Sequence, residues 1–140
     1  MFDLQKQSRG FTLVEIMLVV IIIGSLAAMI IPRLSGRSEQ AKNSVAKTDI
    51  EANISTALKL YEIDTGGFPT TTQGLMALRK KPTASPIPKN WNGPYIEKDP
   101  LDPWGRYYRY TSPGDHRSDY DLYSQGKDEA SDADDITNWQ

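Results

Sequence analysis

Apolar and polar positions alternate along this chain in three different ways. From Phe11 to Ile31, twenty-one residues carry no charge except Glu15. At about 1.5 Å per residue, such a helix covers the roughly 30 Å hydrocarbon core of a bilayer, so the run predicts a membrane-spanning helix. A secretory signal has a shorter apolar core, of about 7–15 residues, and ends at a small-residue cleavage site; Ala27-Ala28-Met29 is a weak site of that kind. Further on, Ile50, Ile54, Ala57, Leu58 and Tyr61 recur on one helix face, with Asp49, Glu51, Asn53 and Lys59 between them. One helix from Phe11 to about Asp64 is the natural reading, and it would be on the order of 80 Å long. Two helices separated at Pro32 are the alternative. Proline removes a backbone hydrogen bond and clashes with the carbonyl four residues earlier, so a kink or melted stretch is expected from Met29 to Pro32. Gly24-Ser25 is a second soft point, and both lie where a subunit leaving a bilayer would need to bend or stretch.

Gly66-Gly67 ends the helical pattern and Pro69 prevents an immediate restart. Thr71 to Lys80 then predicts a shorter helix with a threonine cap, Leu75 and Leu78 three residues apart, and basic residues at its carboxy end. Pro82, Pro86 and Pro88 exclude regular structure and predict a surface loop anchored by Trp91 and Tyr95. Asp102-Pro103-Trp104-Gly105 reads as a tight corner with Trp104 filling the core. Two aromatic-rich runs follow, Tyr107–Thr111 and Tyr120–Ser124, separated by Ser112-Pro113-Gly114-Asp115, and they predict an antiparallel pair. The expected class is α+β: a long amino-terminal helix, its first half in the membrane, packed on a small antiparallel sheet.

Composition narrows the chemistry. With 140 residues there is room for one domain, and only about 110 remain beyond the apolar run. Cysteine is absent, so a small domain in an oxidising compartment either needs another staple or has modest stability. The net charge of −2 gives no sign of nucleic-acid binding. His116 is the only histidine, it reads as a surface turn residue, and no serine lies in a nucleophile motif. Acid–base, nucleophilic and zinc chemistry therefore have almost nothing to use, and no enzyme is expected.

Two charged features carry more. A carboxylate at the centre of a bilayer costs roughly 2.5–3.5 kcal/mol, and less near the interface, so Glu15 calls for a cationic partner. Cleavage after Gly10 would supply one, because the new Phe11 amine, with an ordinary pKa near 8, lies about one helical turn away. That pair can form within one helix, where the macrodipole already favours a carboxylate, or between two chains, where it would set the axial register of neighbouring helices. The second feature is the loop Gly126–Asp135, with five carboxylates. Hard oxygens of this kind suit calcium, but the spacing is not that of an EF-hand, and composition alone favours a solvated acidic tail.

Gly10-Phe11-Thr12-Leu13-Val14-Glu15, the basic leader with Lys6 and Arg9, and Pro32 just past the apolar run resemble the class III signal of type IV pilins and type II secretion pseudopilins. The stretch Asp64–Leu75, the Asp102–Gly105 corner and the acidic ending Asp134–Trp139 look like the major pseudopilins of type II secretion, nearly end to end. The lack of cysteine fits these better than type IV pilins, which commonly carry a carboxy-terminal disulfide. The resemblance implies that a prepilin peptidase cuts after Gly10 and methylates the Phe11 amine. It also implies that Glu15 neutralises that amine on an adjacent subunit; for Pro32, position alone suggests a part in assembly. The expected organisation is then a cleaved leader (1–10), a transmembrane and polymerisation helix (11–31), the soluble half of the long helix (32–64) and a periplasmic globular head (65–140). Removing the leader, which carries +1, changes the net charge from −2 to −3.

By the same resemblance, the carboxy-terminal loop binds calcium, with side-chain ligands at Asp128 and Asp134 and carbonyls from Gln125 and the Ala130–Ser131 region. Asp135 adds a carbonyl or an outer contact. The loop departs from the family pattern in being one residue shorter and in having Glu129 where a glycine is usual. The implied function is a structural subunit that polymerises with itself into a periplasmic pseudopilus, driving folded proteins across the outer membrane. Its implied partners are the prepilin peptidase, minor pseudopilins and the inner-membrane secretion platform. Lys and Arg counting alone, with Arg33, Arg37, Lys42 and Lys47 after the span, would put the long part in the cytoplasm. The resemblance instead anchors the chain once in the inner membrane with its head in the periplasm. A type IV pilus subunit and a monomeric, membrane-anchored calcium-binding protein are the alternatives, marked respectively by a long surface fibre and by an uncut, unpolymerised chain.

Overall fold

A computed structural model describes residues 10–139. The chain divides after Ser38 into two units.

Helix α1 (Leu13–Thr48) starts in the first unit beside Thr12, whose hydroxyl accepts a hydrogen bond from the Glu15 N–H at 3.2 Å, and runs on into the second. This is the ordinary use of threonine at a helix start, where the first N–H groups have no partner in the helix. The stretch Leu13–Ile30 has a mean hydropathy of 2.7 and none of it is buried. It is long and apolar enough to cross a membrane. At the Gly24-Ser25 soft point, the Ser25 hydroxyl donates to the Ile22 carbonyl within the same helix. The helix runs without interruption through Pro32, so no melted stretch separates Met29 from Pro32.

The break in the α pattern comes later, within the second unit. Residues Asp49–Asn53 form a π turn, followed by α2 (Ile54–Thr65). Such turns arise where side chains hold an extra residue in the helix. Here Asp49 accepts from Asn53 Nδ2 at 2.7 Å and from the Tyr108 hydroxyl at 2.9 Å. Ser55 donates back to the Ile50 carbonyl and accepts from the Tyr120 hydroxyl. Ala46, Ile50, Ile54, Ala57, Leu58 and Tyr61 are buried along the inner face, so the face read from the sequence is the one that packs. Gly66 ends α2 in the left-handed region at φ 88°, its N–H bonded to the Glu62 carbonyl.

The second helix expected over Thr71–Lys80 shrinks to a single 3₁₀ turn, Leu75–Leu78, with no threonine cap. Thr70 and Gln73 explain the difference: the Thr70 N–H donates to Gln73 Oε1 and the Gln73 N–H to Thr70 Oγ1, closing a turn on themselves. Gly74, at φ 60° and ψ −171°, then redirects the chain. Leu75, Ala77 and Leu78 still enter the core. Trp91 and Tyr95 anchor the proline-rich loop as expected, through Trp91 Nε1 to the Ala77 carbonyl and the Tyr95 hydroxyl to Asp64.

Strands β1 (Arg109–Thr111) and β2 (Asp121–Ser124) pair antiparallel, with Tyr110 opposite Leu122. A third strand, β3 (Ile136–Thr137), adds to the other side of β2, giving the order β1-β2-β3. Asn138 extends that pairing, since its side chain accepts from the Leu122 N–H and donates to the Tyr120 carbonyl. One core joins the helix face to Leu75, Leu78, Tyr108, Tyr120 and Leu122, with Phe68, Trp91, Tyr95 and Trp104 partly buried against it. Trp104 is a rim residue and not the core filler expected, because its indole N–H donates to Glu39.

Candidate functional site

The amino-terminal residues are open to chemistry. Gly10 and Phe11 precede the helix in irregular backbone, both exposed, and Phe11 is 79% accessible. Glu15 stands exposed in the first turn, where the unpaired N–H groups of the helix favour a negative charge. The leader basic residues Lys6 and Arg9 lie outside the described residues, as does the Pro32 side chain.

The carboxy-terminal loop is built around Gly126. This residue is buried, has φ +60°, and lies so close to Asp134 that a Cβ would meet the Asp134 carbonyl at 2.3 Å. Only glycine permits both the conformation and the approach. The turn aims the Lys127 and Asp128 N–H groups at Asp134 Oδ2, at 2.7 and 2.9 Å. The bond from the Asp128 N–H, then that from Lys127, holds the Asp134 carboxyl below the usual carboxylate range against the opposing effect of burial. The other oxygen, Oδ1, is shielded from solvent and has no hydrogen-bond partner.

The remaining residues expected at this site are dispersed around it. Asp128 is exposed, and its Oδ1 accepts from the Ala130 N–H at 3.0 Å. The Gln125 side chain accepts from Arg109 Nε. Exposed Ala130 leads to Ser131, whose hydroxyl caps a short 3₁₀ turn, Asp132–Asp134. The Asp135 carboxyl is raised by burial, and then by Asp132 and Asp134. Among the described residues, no three His, Cys, Asp or Glu side chains gather as a metal-binding group. A cation here would rest on two carboxylates and on backbone carbonyls. Asp134 Oδ1, buried and unpaired, is the donor atom that fits one.

Arg106 was missed by sequence reasoning. Its guanidinium donates to the Gly126 carbonyl, pairs with Glu129 Oε1 at 2.8 Å and lies 3.7 Å from Asp102 Oδ2. Glu129, where the resemblance leads one to expect a glycine, is thus taken up by an arginine twenty-three positions earlier. No local pattern announces such a contact. Around the sheet edge, His116 is more than a bland turn residue: it bonds to buried Asp121 at 2.9 Å and stacks on Trp139 at 4.2 Å.

Residues 33–139 match the family model described as type II secretion system (T2SS), protein G. The chain belongs to this family. Residues 5–31 match a second model, the prokaryotic N-terminal methylation motif. Among similar proteins, the type II secretion system core protein G of Pseudomonas aeruginosa is 51% identical over 96% of this chain and 97% of that protein. Its Escherichia coli K12 counterpart is 47% identical over 95% and 92%. The crystal structure of the major pseudopilin from enterohaemorrhagic E. coli superposes with a TM-score of 0.65 at 38% identity, over 77% of this chain and 95% of that one. This protein is therefore a major pseudopilin of the protein G family, a structural and pilin-like component of type II secretion. Its methylation motif and single apolar amino-terminal helix describe a membrane-anchored subunit.

Proposed function

We propose that this chain is cut after Gly10, methylated on Phe11 by a prepilin peptidase and polymerised with copies of itself into a periplasmic pseudopilus that moves folded proteins through the outer membrane. The observation that carries the assembly step is the placement of Glu15 in the first turn of a helix whose apolar stretch, Leu13–Ile30, is unburied throughout, about one turn from Phe11. A carboxylate entering an apolar helix bundle is costly unless neutralised. In this reading the Phe11 amine of a neighbouring subunit neutralises it. Only a correctly seated subunit makes that pair, so the charge pair selects register while the apolar faces supply the driving force. The chain is held once in the inner membrane, its head in the periplasm, alongside minor pseudopilins and the inner-membrane platform.

The same reading places calcium in the carboxy-terminal loop, held by the Asp128 and Asp134 carboxylates with carbonyls of Gln125 and the Ala130–Ser131 region, and with Asp135 close by. The ion would supply positive charge that offsets the crowded carboxylates.

Intact mass, and crosslinking through a pair of cysteines introduced at exposed positions, in membranes from cells with and without the peptidase, test the proposal. The expected result is a mature chain beginning at methylated Phe11 only when the peptidase is present, and crosslinked ladders that Glu15→Ala abolishes without blocking cleavage. An uncut chain under both conditions, or unchanged ladders from Glu15→Ala, would overturn it.

A further inference from the structure

The corner Asp102-Pro103-Trp104-Gly105 lies more than twenty residues before the acidic loop, yet its carboxylate reaches that loop by two routes. Asp102 is buried, and its Oδ1 accepts the Trp104 and Arg106 N–H groups at 3.0 and 2.9 Å, which closes the corner. Its other oxygen, Oδ2, faces away from the corner and accepts the Ser124 hydroxyl at 2.7 Å. Ser124, at the end of β2 and 1% exposed, uses the same oxygen to accept the Gly126 N–H at 3.2 Å. Arg106, 3.7 Å from that carboxylate, donates to the Gly126 carbonyl. Both sides of Gly126 are thus tied to groups that depend on one buried charge. Gly126 in turn sets where the Lys127 and Asp128 N–H groups point, and these hold Asp134 with Oδ1 unpaired.

We propose that Asp102 and Ser124 are positioning residues for the carboxy-terminal loop, holding Gly126 so that the Asp134 carboxylate is set for a cation before any cation arrives. A fixed site gives up little conformational freedom on binding, and outer partners of metal ligands typically account for about 10–100-fold in metal affinity. The consequence for calcium rests on the calcium reading above; the consequence for loop geometry does not.

Ser124→Ala is the decisive variant, because it removes one hydroxyl and no charge. The test uses the mature full-length chain in detergent micelles and takes two readouts: amide hydrogen exchange with chelator present, and calcium titration by calorimetry. Lys127 and Asp128 amides are expected to exchange about tenfold faster in Ser124→Ala, and calcium to bind about tenfold more weakly. Amides of Ile54–Tyr61 should keep their wild-type protection. Asp102→Asn should act in the same direction and at least as strongly, because it also disturbs the Arg106 route, and the double variant should do no more than Asp102→Asn alone. If Asp102→Asn loses protection everywhere, Ser124→Ala alone decides. Unchanged Lys127 and Asp128 exchange in Ser124→Ala would overturn the proposal. Wild-type protein that gives no calcium heat would overturn the calcium reading alone, with exchange still deciding the positioning role.

Discussion

Asp121 is a buried carboxylate that organises its surroundings through backbone groups. It accepts the N–H groups of Asp115, His116 and Arg117 and the His116 ring, all at 2.9–3.0 Å. Gly114 is required nearby, since a Cβ there would meet Asp121 Oδ1 at 2.5 Å. Burial alone would raise the Asp121 carboxyl, but the bonds from His116, Arg117 and Asp115 outweigh it and hold the group below its ordinary value. A group whose folded-state pKa is depressed contributes stability above its unfolded pKa, near 3.9, and loses it as pH falls through the folded value. Asp121→Ala should therefore cost about 2 kcal/mol at pH 7, from three N–H groups left without their acceptor. The gap to wild type should narrow below about pH 4. Urea unfolding at pH 7 and pH 3 checks both the size and the sign.

At the scale of elements, the long helix is continuous in hydrogen bonding but not in geometry. Its π turn at Asp49–Asn53 and the start of α2 are fastened to the residues just before β1 and β2, by Tyr108 on Asp49 and Tyr120 on Ser55. Burial, reinforced by the Asp49 bond, pushes the Tyr108 hydroxyl far above its ordinary pKa, so it remains a proton donor to Asp49 throughout the working range. Where the helix ends, conformation and not contact decides the residue. Gly66 has φ 88° and a Cβ there would touch nothing within 4 Å, so the penalty for a side chain is purely that of the left-handed backbone. Gly66→Ala should destabilise by about 1 kcal/mol. Gly67→Ala, at ordinary φ with open space around it, should cost less. Thermal unfolding of the two variants side by side gives the comparison.

For the molecule as a whole, the question is what stabilises a small core that has no disulfide. A ligand that binds only the folded state stabilises it by mass action, by about 2.7 kcal/mol at a hundred times its dissociation constant. On the calcium reading, chelation should lower the melting temperature of the mature chain, and added calcium should restore it. Asp128→Ala with Asp134→Ala should abolish that response. A melt unaffected by chelator in wild type would remove calcium as the staple. The Arg106 contacts to Gly126 and Glu129 belong to the protein itself and should persist in chelator.

How much of this was legible in the sequence follows from the range of each interaction. The apolar run, the inner helix face through Ile50, Leu58 and Tyr61 and the glycine stop at Gly66 depend on residues a few positions apart, the pairing of β1 with β2 on two aromatic runs joined by a short turn, and the sequence displays these patterns directly. The Gly10–Glu15 motif is likewise contiguous, and the residues that gave the family resemblance needed no fold to be seen. The tertiary structure alone decided the rest. The π turn lies where Tyr108 reaches Asp49 and Tyr120 reaches Ser55 across the core; the helix expected after Thr71 lost to a Thr70–Gln73 turn that packs Leu75 and Leu78 with less chain; and β3, two residues long, is too short to have a period. At the acidic loop, the sequence supplied Asp128, Asp134 and the leading glycine. The roles of Asp102, Arg106 and Ser124 appeared only once chain closure brought them together, because a buried charge acts through whatever folding places beside it, and no local spacing records that neighbour.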